Sequence, residues 1–187
     1  MLMVFQFFQT FGFYGFAAWV PTLIAKQTGI NVTGSLQYAF IVACANPFGP
    51  LLAMTFADKT ERKWQLVSAA ICIGVFGVLF SQQSSMPMLI LFGVLITLAN
   101  NILSYSFHSY QSELFPTRVR ARAVDFTYSF SRINTVFASL IIGFFFANFN
   151  GTTGVFGLIA FAMLMVVLSI GIFGPRTSNL ELERISH

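Results

Sequence analysis

Arg132 lies well inside a long apolar stretch, and its planar, permanently charged guanidinium carries five N–H donors suited to gripping a carboxylate. Asp125 and Tyr128 share its helical face at the spacing i, i+3, i+7. A second set, Asn101, Ser104, His108 and Ser112, recurs at i, i+3, i+7 and i+11 with Tyr105 beside it, drawing a polar stripe through Leu, Ile, Val and Phe. A third comprises Gln6 with Gln9 or Thr10 on one face, and Tyr14 a turn further on. Together they offer anion binding, hydrogen bonding to a polar solute and, through His108 or Asp125, proton transfer near neutral pH. Plainer roles stand beside these. Arg132 could pair with Asp125 or with a carboxylate outside this chain, and His108 could be a neutral hydrogen-bonded histidine between helices. The aromatics Phe5, Phe8, Phe13, Phe16 and Trp19 fit packing better than a solute cage, while Tyr14 fits either.

The elements that must hold these groups are membrane helices. Charged residues make up 9% of the chain and 56% is hydrophobic, against about 25% charged in an ordinary soluble domain, so there is too little polar surface to clothe a water-soluble globule. The expected class is all-α: a polytopic membrane protein with spans at about 1–25, 36–57, 64–80, 88–112, 123–149 and 155–173. These six helices form one domain over residues 1–175, and a cytoplasmic tail covers 176–187. The first span bears no charge from Met1 to Ala25 and reaches about 37 Å as a helix, more than the hydrocarbon core needs; Pro21 should bend it. Asn46, Pro47, Gly49 and Pro50 mark a kink or break in the second. Glu113 to Ala123, ELFPTRVRARA, reads as a short polar hinge between the fourth and fifth spans.

Basic residues set the sidedness. Lys59, Arg62, Lys63, Arg118, Arg120, Arg122, Arg176 and Arg184 fall in alternate loops and the tail, whereas the other loops hold only Lys26. That asymmetry places both ends of the chain in the cytoplasm of a multi-pass protein of the cell membrane. It also explains the formal charge of +4 without a nucleic-acid partner. Cys44 and Cys72 lie inside expected spans with no neighbouring ligands, which reads as small buried packing residues, with no metal, cofactor or disulfide expected. No cleavable leader is visible, because Met1 runs straight into apolar sequence.

Three segments resemble the major facilitator superfamily. DKTERK after the second span is similar to its D-R-x-G-R-[KR] loop. ELFPTRVR resembles the E-x-F-P-x-x-x-R segment after the tenth helix of its sugar-porter and organic-acid:proton symporter branches. Gln9-x-x-Gly12 followed by Trp19-Val20-Pro21-Thr22 is similar to a seventh-helix pattern of sugar porters. Glu61 stands where the loop usually has glycine, and Met54 where a small glycine is usual. His108 replaces a usual tryptophan and Ser104 a glycine, departures that argue against a sugar.

The resemblance implies the carboxy-terminal half of a twelve-helix carrier, completed by a missing amino-terminal half or a second copy. The expected function is secondary active transport of an organic acid or related metabolite, coupled to protons by alternating access, and not an enzyme. A sugar or polyol porter is the alternative, and a six-helix channel is disfavoured because every loop is short. Substrate contacts are assigned to Arg132, Gln9, Tyr14, Asn101 and Tyr105, and proton coupling to His108 and Asp125. A cytoplasmic gate of ion pairs is assigned to Asp58, Arg62, Glu113, Arg118 and Arg120. The expected partners are the lipid bilayer, a small solute and protons.

Overall fold

The computed structural model describes residues 2–57, 61–115, 117–149 and 151–174, without the side chains of Val32, Phe56, Ala57, Glu113 and Thr117. The described residues are helical almost throughout, in the order α1 (Leu2–Thr10), a π-helical turn (Phe11–Gly15), α2 (Phe16–Thr28), α3 (Val32–Ala43), α4 (Phe48–Ala57), α5 (Arg62–Gln82), α6 (Met86–Leu114), α7 (Thr117–Asn148) and α8 (Thr152–Phe173). Five stretches among them are long and apolar enough to cross a membrane: Thr33–Thr55, Arg62–Gln82, Met86–Ser112, Arg118–Asn148 and Thr152–Phe173. The first helical run, from Leu2 to Thr28, is interrupted by its π turn and packs against α3, α6, α7 and α8.

That interruption is not where proline suggests. Pro21 sits inside α2 without ending it, and the departure from α geometry comes earlier, at Phe11–Gly15. Gly12 and Gly15 let the widened turn press against its neighbours, since an added Cβ would overlap Met163 Cε at Gly12 and Ile142 Cδ1 at Gly15. The run stops at Gly29, whose φ of 70° is left-handed and whose N–H caps Ala25 O at 2.9 Å.

The second span breaks at Cys44–Pro47, between α3 and α4. Pro47 has no N–H for the carbonyl of Ala43, four residues back. Asn46 supplies the missing donors: its backbone N lies 3.0 Å and its Nδ2 2.9 Å from Ala43 O. The freed carbonyl is therefore satisfied locally, as burial in lipid requires. Gly49 then brings α4 onto α6, because an added Cβ there would overlap Asn101 Cβ. Replacing Gly49 with leucine should push α4 from α6 and cost about 1–3 kcal/mol as overpacking does. A thermal melt in detergent unchanged from wild type would contradict this.

The hinge expected over Glu113 to Ala123 is mostly helix. α6 continues to Leu114 and α7 begins at Thr117, so the backbone leaves helical geometry at Phe115, with φ −105° and ψ 132°. The residue before a proline is driven from the α region, which accounts for the shortness of the break. Arg118, Arg120 and Arg122 consequently ride on the opening turns of α7. At 32 residues that helix is about 48 Å long, enough to carry those turns past the hydrocarbon core.

α5 packs most extensively, against α6 and α8; α1 lies on α7 and α8, α2 on α3, and α4 on α6. The core is aromatic and aliphatic. Phe5 stacks on Phe107 at 4.1 Å, and Phe16, Phe80 and Phe156 meet with centroids 5.0 to 6.0 Å apart, beside fully buried Leu23, Ile24, Leu66 and Ile73. Polar ties mark the two ends. Gln27 Nε2 holds Phe80 O and Ser81 O at 3.1 and 2.9 Å at one, and Lys63 Nζ holds Gly174 O at 2.9 Å at the other. Lys26 joins the first end, beside Gly151, whose φ of 62° turns α7 into α8. Cys44 is exposed and Cys72 half-buried, both as free thiols, so Cys44 does not have the buried packing role expected of it: it stands in the turn that breaks the second span, where its side chain faces outward.

Candidate functional site

A cavity of about 180 Å³ opens where α1 and its π turn meet α6 and α7, lined by Gln6, Gln9, Thr10, Phe13, Tyr14, Ser104, His108, Tyr128 and Ser131. Three of the sequence-derived polar sets contribute to it. Gln6, Gln9 and Thr10 are buried, with Thr10 Oγ1 donating to Gln6 O at 2.7 Å and standing 3.5 Å from Ser131 Oγ. His108, exposed, and Ser104, half-buried, enter from α6.

Arg132 is not among the lining residues but contacts two of them, Tyr128 and Tyr14. Its Nη2 donates to Tyr128 Oη, and its guanidinium lies 4.8 Å from the Tyr128 ring centroid and 5.7 Å from that of Tyr14. Both rings line the cavity, so among the described residues the cation is held by π faces and a phenol. Among the described residues no ion pair joins Arg132 to Asp125, which is exposed on α7. The reason is reach. Asp125 is seven residues away, about 10 Å along the axis, whereas Tyr128 is four away on the adjoining turn. With Tyr128 occupying one nitrogen, the guanidinium still has N–H donors to offer.

The stripe on α6 divides. Asn101 faces a second, smaller cavity of about 90 Å³, bounded by Phe13, Phe16, Val42, Asn46, Thr97 and Asn100 among others. Its Nδ2 donates to Asn46 Oδ1 and to Thr97 O, each at 2.9 Å, so it fastens α6 to the break in the second span. Phe13 belongs to both linings and separates the amide pair from the Arg132 side. Tyr105, half-buried, lies outside both linings, rotated about 100° from Ser104. Ser112 turns back to Ser109 O at 2.7 Å. Sequence spacing placed these residues on one face, but that face meets different neighbours along its length.

Asn100 was not singled out by spacing. It is 3% exposed, its Nδ2 is 3.5 Å from Gly12 O in the π turn, and its Oδ1 has no hydrogen-bond partner among the described residues. Asn134 Nδ2 and Gln111 Nε2 are likewise buried without one. In sequence Asn100 is indistinguishable from its neighbour Asn101, and only the approach of the π turn sets it apart. Of the gate residues, Asp58 and the side chain of Glu113 lie outside the described residues. Arg62 opens α5, Arg118 is exposed, and Arg120 Nε donates to Phe115 O at 3.2 Å.

Apolar helices of membrane-crossing length, packed around amide-lined cavities, define a multi-pass membrane protein. The chain belongs to the Major Facilitator Superfamily, whose model matches residues 2–184. It is 32% identical to the putative metabolite transport protein YyaJ of Bacillus subtilis over 91% of this chain and 38% of that protein. It is 25% identical to the niacin transporter NiaP of Acinetobacter baylyi over 99% of this chain and 42% of that protein. It is 28% identical to the cis,cis-muconate transport protein of the same organism, over 73% of this chain and 33% of that protein. The chain thus spans about two-fifths of the length of the first two of these curated relatives.

Proposed function

We propose that this chain is the carboxy-terminal part of a secondary carrier that moves an organic acid or related metabolite across the cell membrane with protons, by alternating access. The observation that carries the reading is Arg132, near the middle of α7 with its guanidinium against Tyr14 and Tyr128 beside an amide-lined cavity. A permanent cation at membrane depth is costly unless it meets a partner, a cavity or water, and a solute carboxylate is such a partner. Carriers of this architecture hold solute near the midplane between halves, and relatives named for metabolites, niacin and muconate agree with a small solute.

In this reading Arg132 takes the carboxylate by a charge-assisted contact while Gln9 and Tyr14 orient the remainder. Asn101 and Tyr105 contact the solute only once the helices have moved. His108 or Asp125 exchanges the coupled proton. Asp58, Arg62, Glu113, Arg118 and Arg120 form ion pairs with one another and with the other half to close the cytoplasmic end, where both chain ends lie.

The test is uptake by the full-length protein in liposomes under an imposed pH gradient, with cis,cis-muconate, niacin and myo-inositol as competitors. Acids should compete and stimulate counterflow, and Glu113→Gln should lose uptake at normal expression. If the polyol competes best, the protein is a polyol porter; ion conduction without saturation would make it a channel.

A further inference from the structure

We propose that the seam between α5 and α8 holds one phospholipid with an anionic headgroup, its acyl chain in an apolar groove and its phosphate on Lys63. The groove is about 480 Å³ and is lined entirely by apolar residues, with Ala70, Gly74 and Ala160 opening space beside Met163. Its rim is exposed: Ile71, Val75 and Leu164 show about half their surface. It runs from Ala70 to Leu79, about 14 Å along α5, and its volume lies in the range of small-molecule sites.

Charge at one end of the same seam selects the occupant. Lys63, Ala70 and Gly74 recur at i, i+7 and i+11 and so share one face of α5. Lys63 Nζ reaches Gly174 O at the end of α8, which places the ammonium across the seam itself. That contact uses one of three donors and leaves two for a phosphate oxygen. Trp64 beside it is 53% exposed, an amphipathic ring of the sort found at headgroup level. The charge asymmetry of the loops puts this end at the cytoplasmic leaflet, where anionic lipids concentrate. A second copy fits less well. A two-fold contact through this face would bring Lys63 to the level of its counterpart, a like-charge approach that a lipid phosphate does not carry.

Native mass spectrometry of the full-length protein, released from detergent with equal dioleoylphosphatidylglycerol and dioleoylphosphatidylcholine, tests the assignment. Wild type should retain phosphatidylglycerol about fivefold over phosphatidylcholine, the discrimination expected of one basic residue at a membrane surface. Lys63→Gln, which keeps a donor for Gly174 O, should bring that ratio to near one while adducts persist. Gly74→Leu should expel both lipids; its Cβ has room, 3.9 Å from Met163 Cβ, so the longer side chain enters the groove. Ala160→Leu should do the same from the facing helix. Equal retention of the two lipids by wild type overturns the headgroup assignment, and lipid binding unchanged in both leucine variants overturns the groove. Dimers that vanish in those variants would make the seam an interface between copies and overturn the proposal outright.

Discussion

Replacing Arg132 with alanine should reduce uptake of an organic acid by the full-length protein at least about tenfold, at wild-type expression, because in the proposed function Arg132 makes a charge-assisted contact to the solute. The side chain is exposed and its described contacts are with Tyr128 and Tyr14, so its removal leaves the packed core intact. Lysine should recover little of the loss. A point ammonium keeps the charge but offers no planar fork to a carboxylate and stacks less well against two phenol rings. Tyr128→Phe is the informative companion. It retains the π face but removes the Oη that accepts from Nη2, so affinity should shift while maximal uptake persists. Wild-type uptake by Arg132→Ala would place the anion elsewhere and remove the main support for an acid substrate.

His108→Ala should abolish accumulation driven by a pH gradient while leaving solute counterflow within about threefold of wild type, the pattern of a residue that moves the proton and does not hold the solute. His108 is exposed on α6 and lines the same cavity as Gln9 and Tyr128, so a proton on its ring is within the reach of water whenever that cavity opens. Asp125 serves as the contrast. It is exposed in the first third of α7 and is not among the residues that line the cavity, and Asp125→Asn should retain coupling if His108 carries the proton. Gradient-driven accumulation surviving in His108→Ala and failing in Asp125→Asn would reverse the assignment.

Much of the fold was legible in the sequence because a bilayer leaves few solutions. A backbone without water must close its own hydrogen bonds, so long uncharged runs become helices whatever their neighbours are. Uncharged Met1 to Ala25, the proline-rich break at Asn46 to Pro50, and the apolar runs after Lys63, Pro87, Arg122 and Gly154 all needed only composition and length. The polar residues of the site were visible as well, since an amide, imidazole or guanidinium inside such a run has to face a cavity or a partner.

The tertiary structure decided which of them meet. The π turn at Phe11–Gly15 was not marked by any proline, and only the bundle shows that its Gly12 lies close to Met163 of α8 and its Gly15 close to Ile142 of α7. Asn101 and His108 share a helical face, yet Asn101 is taken by Asn46 while His108 opens beside Gln9, because α6 is long enough to meet different helices along its length. Arg132 could have sought Asp125 by sequence, but the neighbouring turn supplied Tyr128 and α1's continuation supplied Tyr14. Periodicity fixes the face on which a side chain lies. Its partner is set by which helix packs there, and that depends on the close-packed fit of the whole bundle.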